Sequence, residues 1–188
     1  MRITGGTARG RRLRAPRSSK VRPTADKVRG AIFNLLAARY EIGDQRVLDL
    51  FAGSGALGLD ALSRGARSVT FIDESREACR TMHENLERSG FSARAEVRRM
   101  TLPEGIRRLV DRMEPFDGIL LDPPYRRGLA HSVLRALGGG DLLVSGAWVI
   151  VEHAREDELA ESYGVLRRSD SRRYGSTAIS VYEKVEAE

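Results

Sequence analysis

Short apolar runs alternate with amphipathic stretches through the middle of this 188-residue chain. Five runs have the length and apolar character of buried strands: RVLDLF, SVTFID, RAEVR, FDGILLD and AWVIVEHA. Between them, apolar residues recur at helical spacing over residues 56–63, 76–89, 103–112 and 129–137. Because strands that alternate with helices usually pair in parallel, the pattern predicts an α/β fold with a mostly parallel sheet and helices on both of its faces.

The two ends of the chain depart from this rhythm. Near the C-terminal end, YGVLRRSDSRRYG and STAISVYEKV are strand-like runs with no long helix between them, which predicts an antiparallel hairpin at the edge of a seven-stranded sheet. Near the N-terminal end, Gly5 and Gly6 separate two short runs, which predicts a small hairpin or an extended arm. We therefore expect a basic arm or hairpin over residues 1–22 and one compact domain over residues 23–188, beginning with a helix in TADKVRGAIFNLLAARY.

The composition narrows the class of protein. A hydrophobic content of 41% suits one compact domain with a buried core. The sequence shows neither a charged-then-apolar leader nor an apolar run near the roughly 20 residues that a membrane-spanning helix needs. Its one cysteine, Cys79, excludes an internal disulfide, and its three histidines lack metal-ligand spacing. We expect a cytoplasmic protein without a bound metal and without a membrane partner.

Basic residues are concentrated in the first part of the chain. Residues 1–30 hold ten Lys or Arg side chains against one acid, Asp26, and so carry +9; the whole chain carries +6, which leaves −3 for residues 31–188. A basic segment beside a mildly acidic body favours binding of a polyanion, because Lys and Arg release counterions from phosphates. A solvated, disordered basic tail has the same composition, so charge alone leaves both interpretations open.

The first predicted strand leads into a glycine-rich turn, DLFAGSGALGLDAL. Gly53, Gly55 and Gly58 match G-x-G-x-x-G, and Asp73 follows 20 residues after Gly53, a pattern typical of dinucleotide-binding folds in which the acid binds ribose hydroxyls. Asp49, four residues before Gly53, would repel a pyrophosphate but could place an ammonium group. This favours S-adenosylmethionine, which carries an ammonium and no phosphate. A tight turn without a ligand is the third interpretation.

A rigid polar motif, Asp122-Pro123-Pro124-Tyr125, follows the fourth predicted strand, at the end where ligands bind in open α/β sheets. The two prolines fix the backbone as it leaves the sheet. The carboxylate of Asp122 and the carbonyl of Pro123 could then accept the N–H groups of an exocyclic amine and free its lone pair from conjugation with the ring. Stacking of the base on Tyr125 would contribute about 1–3 kcal/mol. An ordinary rigid turn is the alternative interpretation.

Five segments occur in a fixed order along the chain: RITGGTARGRRL, RPTADKVRGAIFNLL, VLDLFAGSGALGLDALSRGA, FIDES and DPPYRRG. In that order they resemble the bacterial 16S ribosomal RNA (guanine-N2)-methyltransferase family. The glycine turn and DPPY are shared with many amino-methyltransferases, whereas the N-terminal segment followed by RPT narrows the resemblance to this family. It implies a Rossmann-like class I methyltransferase that uses S-adenosylmethionine to methylate the N2 amine of one guanine in 16S ribosomal RNA.

The motifs and the resemblance together assign residues to three roles. The catalytic residues are Asp122, Pro123, Pro124 and Tyr125. The cofactor-binding residues are Asp49, Ala52, Gly53, Ser54, Gly55, Asp73, Glu74, Met100 and Thr101. The RNA-binding residues are Arg2, Arg9, Arg11, Arg12, Arg14, Arg22, Arg126 and Arg127. Many methyltransferases place an acid or an amide after the third strand, where this chain has Met100 and Thr101, so we expect backbone or apolar contacts to adenine there.

The expected partner is 16S ribosomal RNA within a small-subunit assembly particle, bound by a monomer. Because the DPPY arrangement suits any exocyclic amine, methylation of adenine N6 or cytosine N4 is an alternative. A nicotinamide-dependent oxidoreductase and a non-catalytic RNA-binding assembly module are further alternatives. An independent arm also predicts that deletion of residues 1–20 weakens RNA binding and leaves cofactor binding intact.

Overall fold

The computed structural model describes residues 1–16, 26–125 and 128–186. Three residues predicted to bind RNA lie outside these ranges, namely Arg22, Arg126 and Arg127. The chain divides into two compact units, Met1–Met100 and Thr101–Glu188. Each unit combines helices with strands that pair in parallel.

The first unit contains three helices and three strands within its described residues. In chain order they are α1 (Asp26–Ala37), β1 (Arg46–Leu50), α2 (Ala56–Ser63), β2 (Ser68–Asp73), α3 (Arg76–Ser89) and β3 (Ala95–Arg99), with a short 3-10 turn over Ser92–Arg94. Strand β2 lies between β1 and β3 and pairs in parallel with both. The carboxyl ends of β1 and β2 therefore lie side by side, with Leu50 opposite Ile72.

Burial explains why these residues form these elements. Strand β1 is buried at every residue after Arg46, and all eight residues of α2 are buried, so both sequences are nearly continuously apolar. Helix α3 instead buries one face, whose members recur every three or four residues: Ala78, Thr81, Met82, Asn85, Leu86 and Ser89. Its ends are defined by the Ser75 side chain, which accepts the Ala78 N–H, and by Gly90 in the left-handed conformation.

Residues 1–16 form a small hairpin, one of the two conformations that the sequence leaves open. Arg2 and Arg12 pair as an antiparallel bridge, and the Ile3 N–H donates to the Arg11 carbonyl oxygen at 3.0 Å. The hairpin packs on the end of α2, where Ser63 Oγ accepts the Ala8 N–H at 2.9 Å. Three of its apolar side chains are buried, those of Ile3, Ala8 and Leu13. The division at residue 22 into a separate RNA-binding segment stays a prediction.

The second unit contains two helices and five strands within its described residues. They are α4 (Ile106–Val110), β4 (Phe116–Leu121), α5 (Leu129–Leu137), β5 (Leu143–Ala154), β6 (Ser162–Tyr163), β7 (Leu166–Tyr174) and β8 (Thr177–Lys184). Strand β5 pairs in parallel with β4 and antiparallel with β8, and β7 pairs antiparallel with both β8 and β6. The predicted antiparallel hairpin is therefore confirmed, and the mostly parallel α/β class with it.

Two local features differ from the expectation. Strand β6 was not expected from the sequence, because its two residues are too few to show the alternation of a strand. Helix α4 begins at Ile106 instead of residue 103, since residues 102–105 form turns.

The core of the second unit depends on a glycine in β4. A Cβ atom at Gly118 would lie 2.1 Å from Cε2 of Trp148 on the paired strand β5, so the absent side chain makes room for a large aromatic residue that is 1% exposed. None of the helices in the described ranges has both the length and the apolar content needed to cross a membrane.

Candidate active site

The three glycines of the motif that follows β1 serve different purposes. Gly58 leaves room for the Phe71 ring, because a Cβ atom at residue 58 would lie 2.3 Å from Cε1 of Phe71. Gly55 combines a φ of 78° with a Cβ position 3.1 Å from Cγ of Met82. Gly53 has a φ of 56°, but no atom lies closer than 4.0 Å to its Cβ position. Its open face leaves the backbone accessible to a ligand.

Asp49 supplies a buried acceptor next to this turn. The residue is 1% exposed on β1, and its Oδ2 accepts the Gly58 N–H at 2.9 Å. Its Oδ1 is buried and accepts no hydrogen bond from the described residues. The pKa of the Asp49 carboxyl is raised to about 7, mainly by burial; the Gly58 hydrogen bond lowers it and the nearby Asp73 carboxylate contributes to the rise. A cationic ligand group would satisfy Oδ1 and stabilise the ionised form.

Asp73 connects the end of β2 to the glycine turn. Its Oδ2 accepts the Gly53 N–H at 2.8 Å, and its Oδ1 accepts the Ser75 N–H at 2.8 Å. The sequence suggests a ribose ligand here, and the structure adds a second role, since the carboxylate holds Gly53 in place. Each carboxylate oxygen keeps a further lone pair that a hydroxyl group can use.

The other predicted cofactor ligands lie around these two acids. The Ala52 N–H donates to the Ile72 carbonyl oxygen at 3.0 Å, which joins the turn to β2. The Met100 N–H donates to the Asp73 carbonyl oxygen at 2.9 Å, so Met100 lies beside the ribose acid. Glu74 is exposed, as is Thr101, which begins the second unit. The first unit thus brings Asp49, the glycine turn, Asp73 and Met100 to one set of strand ends.

Asn85 of α3 is a contact of the turn that the sequence patterns missed. Its Nδ2 donates to the Ser54 carbonyl oxygen at 2.9 Å and to the Arg14 carbonyl oxygen at 2.9 Å, and its Oδ1 accepts the Arg14 N–H at 2.8 Å. The side chain is completely buried. A polar residue on the buried face of an amphipathic helix is the signal that could have revealed it.

The DPPY motif follows the end of β4 and runs from a partly exposed aspartate to an exposed tyrosine. Pro123 is buried, Asp122 and Pro124 are partly exposed, and Tyr125 is 40% exposed. The Tyr125 hydroxyl donates to Oε1 of Glu152 at 2.9 Å and lies 3.0 Å from Oγ1 of Thr177. Burial raises the pKa of the Tyr125 hydroxyl, and the adjacent Glu152 carboxylate also raises it, so the hydroxyl remains a donor at neutral pH.

Glu152 interrupts the apolar run of β5. It is 4% exposed and lies at the position where β5 pairs with Ile179 of β8, two residues from Thr177. Both neighbours of the Tyr125 hydroxyl therefore come from the antiparallel part of the sheet. The tip of the ring is held while part of its surface remains open to solvent, an arrangement that suits stacking.

A cavity of about 210 Å³ lies in the second unit beside the motif. Its lining includes Pro123, Pro124, Tyr125, the start of α5 and the loop over residues 156–159. His131 Nδ1 on α5 lies 2.5 Å from the Tyr163 hydroxyl oxygen, which fixes this wall. The cavity gives the motif a concave neighbour, the usual form of a small-molecule or base-binding site.

The predicted RNA ligands of the hairpin are exposed on the first unit. They are Arg2, Arg9, Arg11, Arg12 and Arg14. Nη1 of Arg14 lies 2.7 Å from Oε2 of Glu84 in an exposed ion pair. By contrast, Arg29 is completely buried and its Nε donates to Oδ2 of Asp60 at 3.0 Å, so this member of the basic segment is structural.

Several known proteins resemble this chain along most of its length. A family model described as "Conserved hypothetical protein 95" matches residues 1–183. "Putative rRNA methyltransferase YlbH" from Bacillus subtilis is 36% identical and aligns over 98% of this chain and 99% of its own length. "Ribosomal RNA small subunit methyltransferase D" from Escherichia coli K12 is 38% identical over 85% of this chain and 77% of its own.

A solved structure extends the similarity to three dimensions. "Putative methyltransferase yhhF" from Escherichia coli covers 100% of this chain and 99% of its own, with a TM-score of 0.82 and 33% sequence identity. The predicted class I methyltransferase fold is thereby confirmed, and so is the family resemblance carried by the ordered motifs. The chain belongs to the family described as conserved hypothetical protein 95, together with relatives named ribosomal RNA small subunit methyltransferase D.

Proposed function

We propose that this protein transfers the methyl group of S-adenosylmethionine to the exocyclic N2 amine of one guanine in small-subunit ribosomal RNA. The observation that carries the proposal is the DPPY motif at the end of β4, where a carboxylate, a rigid carbonyl and a fixed aromatic ring occur in four consecutive residues. The names of the relatives, both of which refer to ribosomal RNA methyltransferases, support the coarser part of the proposal, methylation of ribosomal RNA.

The residues of the first unit fit the cofactor. The vacant Oδ1 of Asp49 suits the ammonium of the methionine part, the free lone pairs of Asp73 suit ribose hydroxyls, and the open face of Gly53 allows close approach. When bound, S-adenosylmethionine supplies an electrophilic methyl group on a sulfonium. A pyrophosphate beside Asp49 would be repelled whenever that carboxyl is ionised, which disfavours a nicotinamide dinucleotide.

The DPPY residues act on the nucleophile. The N2 amine of guanine is conjugated with its ring and needs its lone pair localised before it can attack. Hydrogen bonds from its two N–H groups to the Asp122 carboxylate and the Pro123 carbonyl favour a pyramidal nitrogen. The new C–N bond forms as the methyl C–S bond of the sulfonium breaks and S-adenosylhomocysteine leaves. One N–H proton of the alkylated, now acidic, nitrogen would pass to the Asp122 carboxylate. Orientation supplies the larger part of the acceleration, about 7–11 kcal/mol in well-aligned systems.

Tyr125 and the hairpin arginines bind the RNA. The Tyr125 ring, fixed through Glu152, stacks on a base that has left its helix, since a stacked guanine cannot present its amine to the motif. The exposed hairpin arginines bind phosphates around the target. We propose a monomer that acts on RNA in a partly assembled small subunit, where the target nucleotide remains accessible.

The test is a reconstituted reaction. Purified protein is incubated with S-adenosylmethionine carrying an isotope-labelled methyl group and with small-subunit RNA from cells that lack this gene, either naked or in assembly particles. Nucleoside mass spectrometry is expected to detect labelled N2-methylguanosine. Labelled N6-methyladenosine or N4-methylcytidine would show that the target base is adenine or cytosine instead of guanine. No label with either substrate would overturn the proposal.

A further inference from the structure

The side chain of Asn85 joins the N-terminal hairpin to the glycine turn. Its three hydrogen bonds all go to backbone atoms: the Arg14 N–H, the Arg14 carbonyl oxygen and the Ser54 carbonyl oxygen, at 2.8, 2.9 and 2.9 Å. Ser54 is the residue between Gly53 and Gly55, and Arg14 is the last arginine of the hairpin. A single buried amide group therefore fixes the turn and the hairpin to each other.

We infer that Asn85 is a positioning residue that couples cofactor binding at the glycine turn to RNA binding at the hairpin. The RNA half of this inference rests on the proposed function. The cofactor half concerns only how Asn85 holds Ser54, and it can be tested without RNA.

The chemistry of the amide makes the connection specific. Both Nδ2 hydrogens are used, one for each carbonyl oxygen, while Oδ1 accepts the Arg14 N–H. Aspartate would lose both donors and place a charge against two carbonyl oxygens, whereas an apolar residue would leave three backbone groups without their partner. A shift of the Ser54 carbonyl oxygen would therefore move the Asn85 amide group and alter its two hydrogen bonds to the Arg14 backbone.

Two neighbouring contacts strengthen this connection. Met82, one turn before Asn85 on α3, lies under Gly55, so the same helix supports the turn at two points. The Ser54 hydroxyl donates to Sδ of Met1 at 3.7 Å, which adds a weak direct contact between the turn and the hairpin.

The hairpin end of the connection faces outward. The Arg14 side chain is 60% exposed and paired with Glu84, while its backbone is bound to Asn85. Phosphate contact with this guanidinium and cofactor contact with the turn would each restrict the same backbone segment. The ligand that binds second then orders less of the chain, which gives positive coupling that must be equal in both directions.

Affinity measurements test the coupling. The dissociation constant of S-adenosylhomocysteine is measured by calorimetry with and without saturating small-subunit RNA transcript. In the native protein RNA is expected to tighten binding by about fivefold or more. Asn85→Ala is expected to weaken S-adenosylhomocysteine binding by about fivefold in the absence of RNA and to bring the coupling factor close to 1.

The matched control is Glu84→Ala, which removes the surface ion pair to Arg14 and leaves all three Asn85 hydrogen bonds in place. It should retain the native affinity for S-adenosylhomocysteine and the native coupling factor. Native values in Asn85→Ala, or equal losses in both variants, would overturn the inference.

Amide hydrogen exchange provides a second measurement that needs no substitution and so does not depend on whether Asn85→Ala folds. Saturating S-adenosylhomocysteine is expected to slow exchange of the Arg14 amide, which donates to Asn85. Unchanged exchange there would contradict the inference. If the native protein binds no RNA, the proposed function fails, whereas S-adenosylhomocysteine affinity and Arg14 exchange still decide whether Asn85 positions the turn.

Discussion

The Tyr125 hydroxyl donates a hydrogen bond to the Glu152 carboxylate over 2.9 Å and thereby joins the DPPY motif to the middle of the sheet. Glu152 is almost completely buried on β5, so its position is set by the sheet and passed to the ring. An aromatic side chain at a strand end would otherwise rotate about its side-chain torsions. The bond to Glu152 reduces this freedom without covering the ring.

Removal of this bond should lower turnover more than RNA affinity. We expect Tyr125→Phe and Glu152→Leu each to reduce kcat by about tenfold, because each removes the bond and leaves the ring in place without its fixed orientation. Tyr125→Ala should cost more, since it also removes stacking worth about 1–3 kcal/mol. Tyr182→Phe is the matched control: it removes another tyrosine hydroxyl bond, to the Ala160 carbonyl oxygen, and should retain kcat. Steady-state kinetics with RNA measures kcat for each variant. An unchanged kcat in Tyr125→Phe would show that the bond to Glu152 does not orient the ring for catalysis.

The pKa of Asp49 predicts that cofactor affinity depends on pH. This pKa is raised to about 7 in the free protein, mainly by burial, and the ammonium of S-adenosylhomocysteine favours the ionised form. Binding below pH 7 must therefore expel a proton, so we expect affinity to increase as pH rises from 6 to 8. Calorimetry in buffers of different ionisation enthalpy measures the proton release. A pH-independent affinity, or a pH dependence retained in Asp49→Asn, would contradict this role.

The raised pKa of Asp49 also predicts that the free protein loses stability as pH rises, whereas its affinity for the cofactor increases. Between the ordinary value of 3.8 and about 7, the native state holds a proton on Asp49 that the unfolded state has lost. The contribution of this carboxyl is therefore fully present below pH 3.8 and is lost as pH rises through 7. Chemical denaturation at pH 5 and pH 8 should show a smaller loss of unfolding free energy in Asp49→Asn than in the native protein. An equal loss in both proteins would show that Asp49 does not titrate as described.

Two glycines of one turn should respond differently to the same substitution. Gly58→Ala places a methyl group 2.3 Å from Phe71 and should lower the unfolding free energy by about 1–3 kcal/mol. Gly53→Ala meets no atom closer than 4.0 Å, so its stability cost comes from its φ of 56° alone, about 1 kcal/mol, while the methyl group obstructs the ligand face. Denaturation and calorimetry together distinguish the two. Native S-adenosylhomocysteine affinity in Gly53→Ala would place the ligand elsewhere.

The hairpin arginines should contribute to the salt dependence of RNA binding. Arg9 and Arg12 are exposed on the hairpin, and Arg80 is exposed on α3. Each phosphate contact adds roughly 0.7–0.9 to the slope of log affinity against log salt. The double variant Arg9→Ala/Arg12→Ala should therefore reduce that slope by about 1.5, whereas Arg80→Ala, which removes one positive charge outside the hairpin, should leave it unchanged. Equal slopes for all three proteins would place the RNA on another surface.

The sequence was most informative where local patterns determine local structure. The boundaries of α2, α3 and α5 agree with the apolar spacing, and the left-handed φ angles of Gly53 and Gly55 agree with the glycine motif. These features depend on residues close together in the chain. Strand β6 shows the limit, because its two residues pair only through β7.

Contacts between distant residues could not be predicted in this way. Glu152 bonds to a tyrosine 27 residues away and Asn85 to an arginine 71 residues away, so neither pairing follows from spacing. Arg29 belongs to the basic N-terminal segment, whose charge favours polyanion binding. Its side chain is instead buried against Asp60, 31 residues later, and has a structural role. The bonds that join the hairpin, Asn85 and the glycine turn likewise connect residues far apart in the chain, so no local pattern predicted them.

Nucleoside mapping tests most directly whether the DPPY site methylates one guanine. Small-subunit RNA from cells that lack this gene is digested and analysed by mass spectrometry, with complementation by the native gene or by a gene encoding Asp122→Ala. We predict that a single N2-methylguanosine is absent from the deletion strain, is restored by the native gene and is not restored by the Asp122→Ala gene. An unchanged set of methylated guanosines in the deletion strain, or full restoration by the Asp122→Ala gene, would contradict the account.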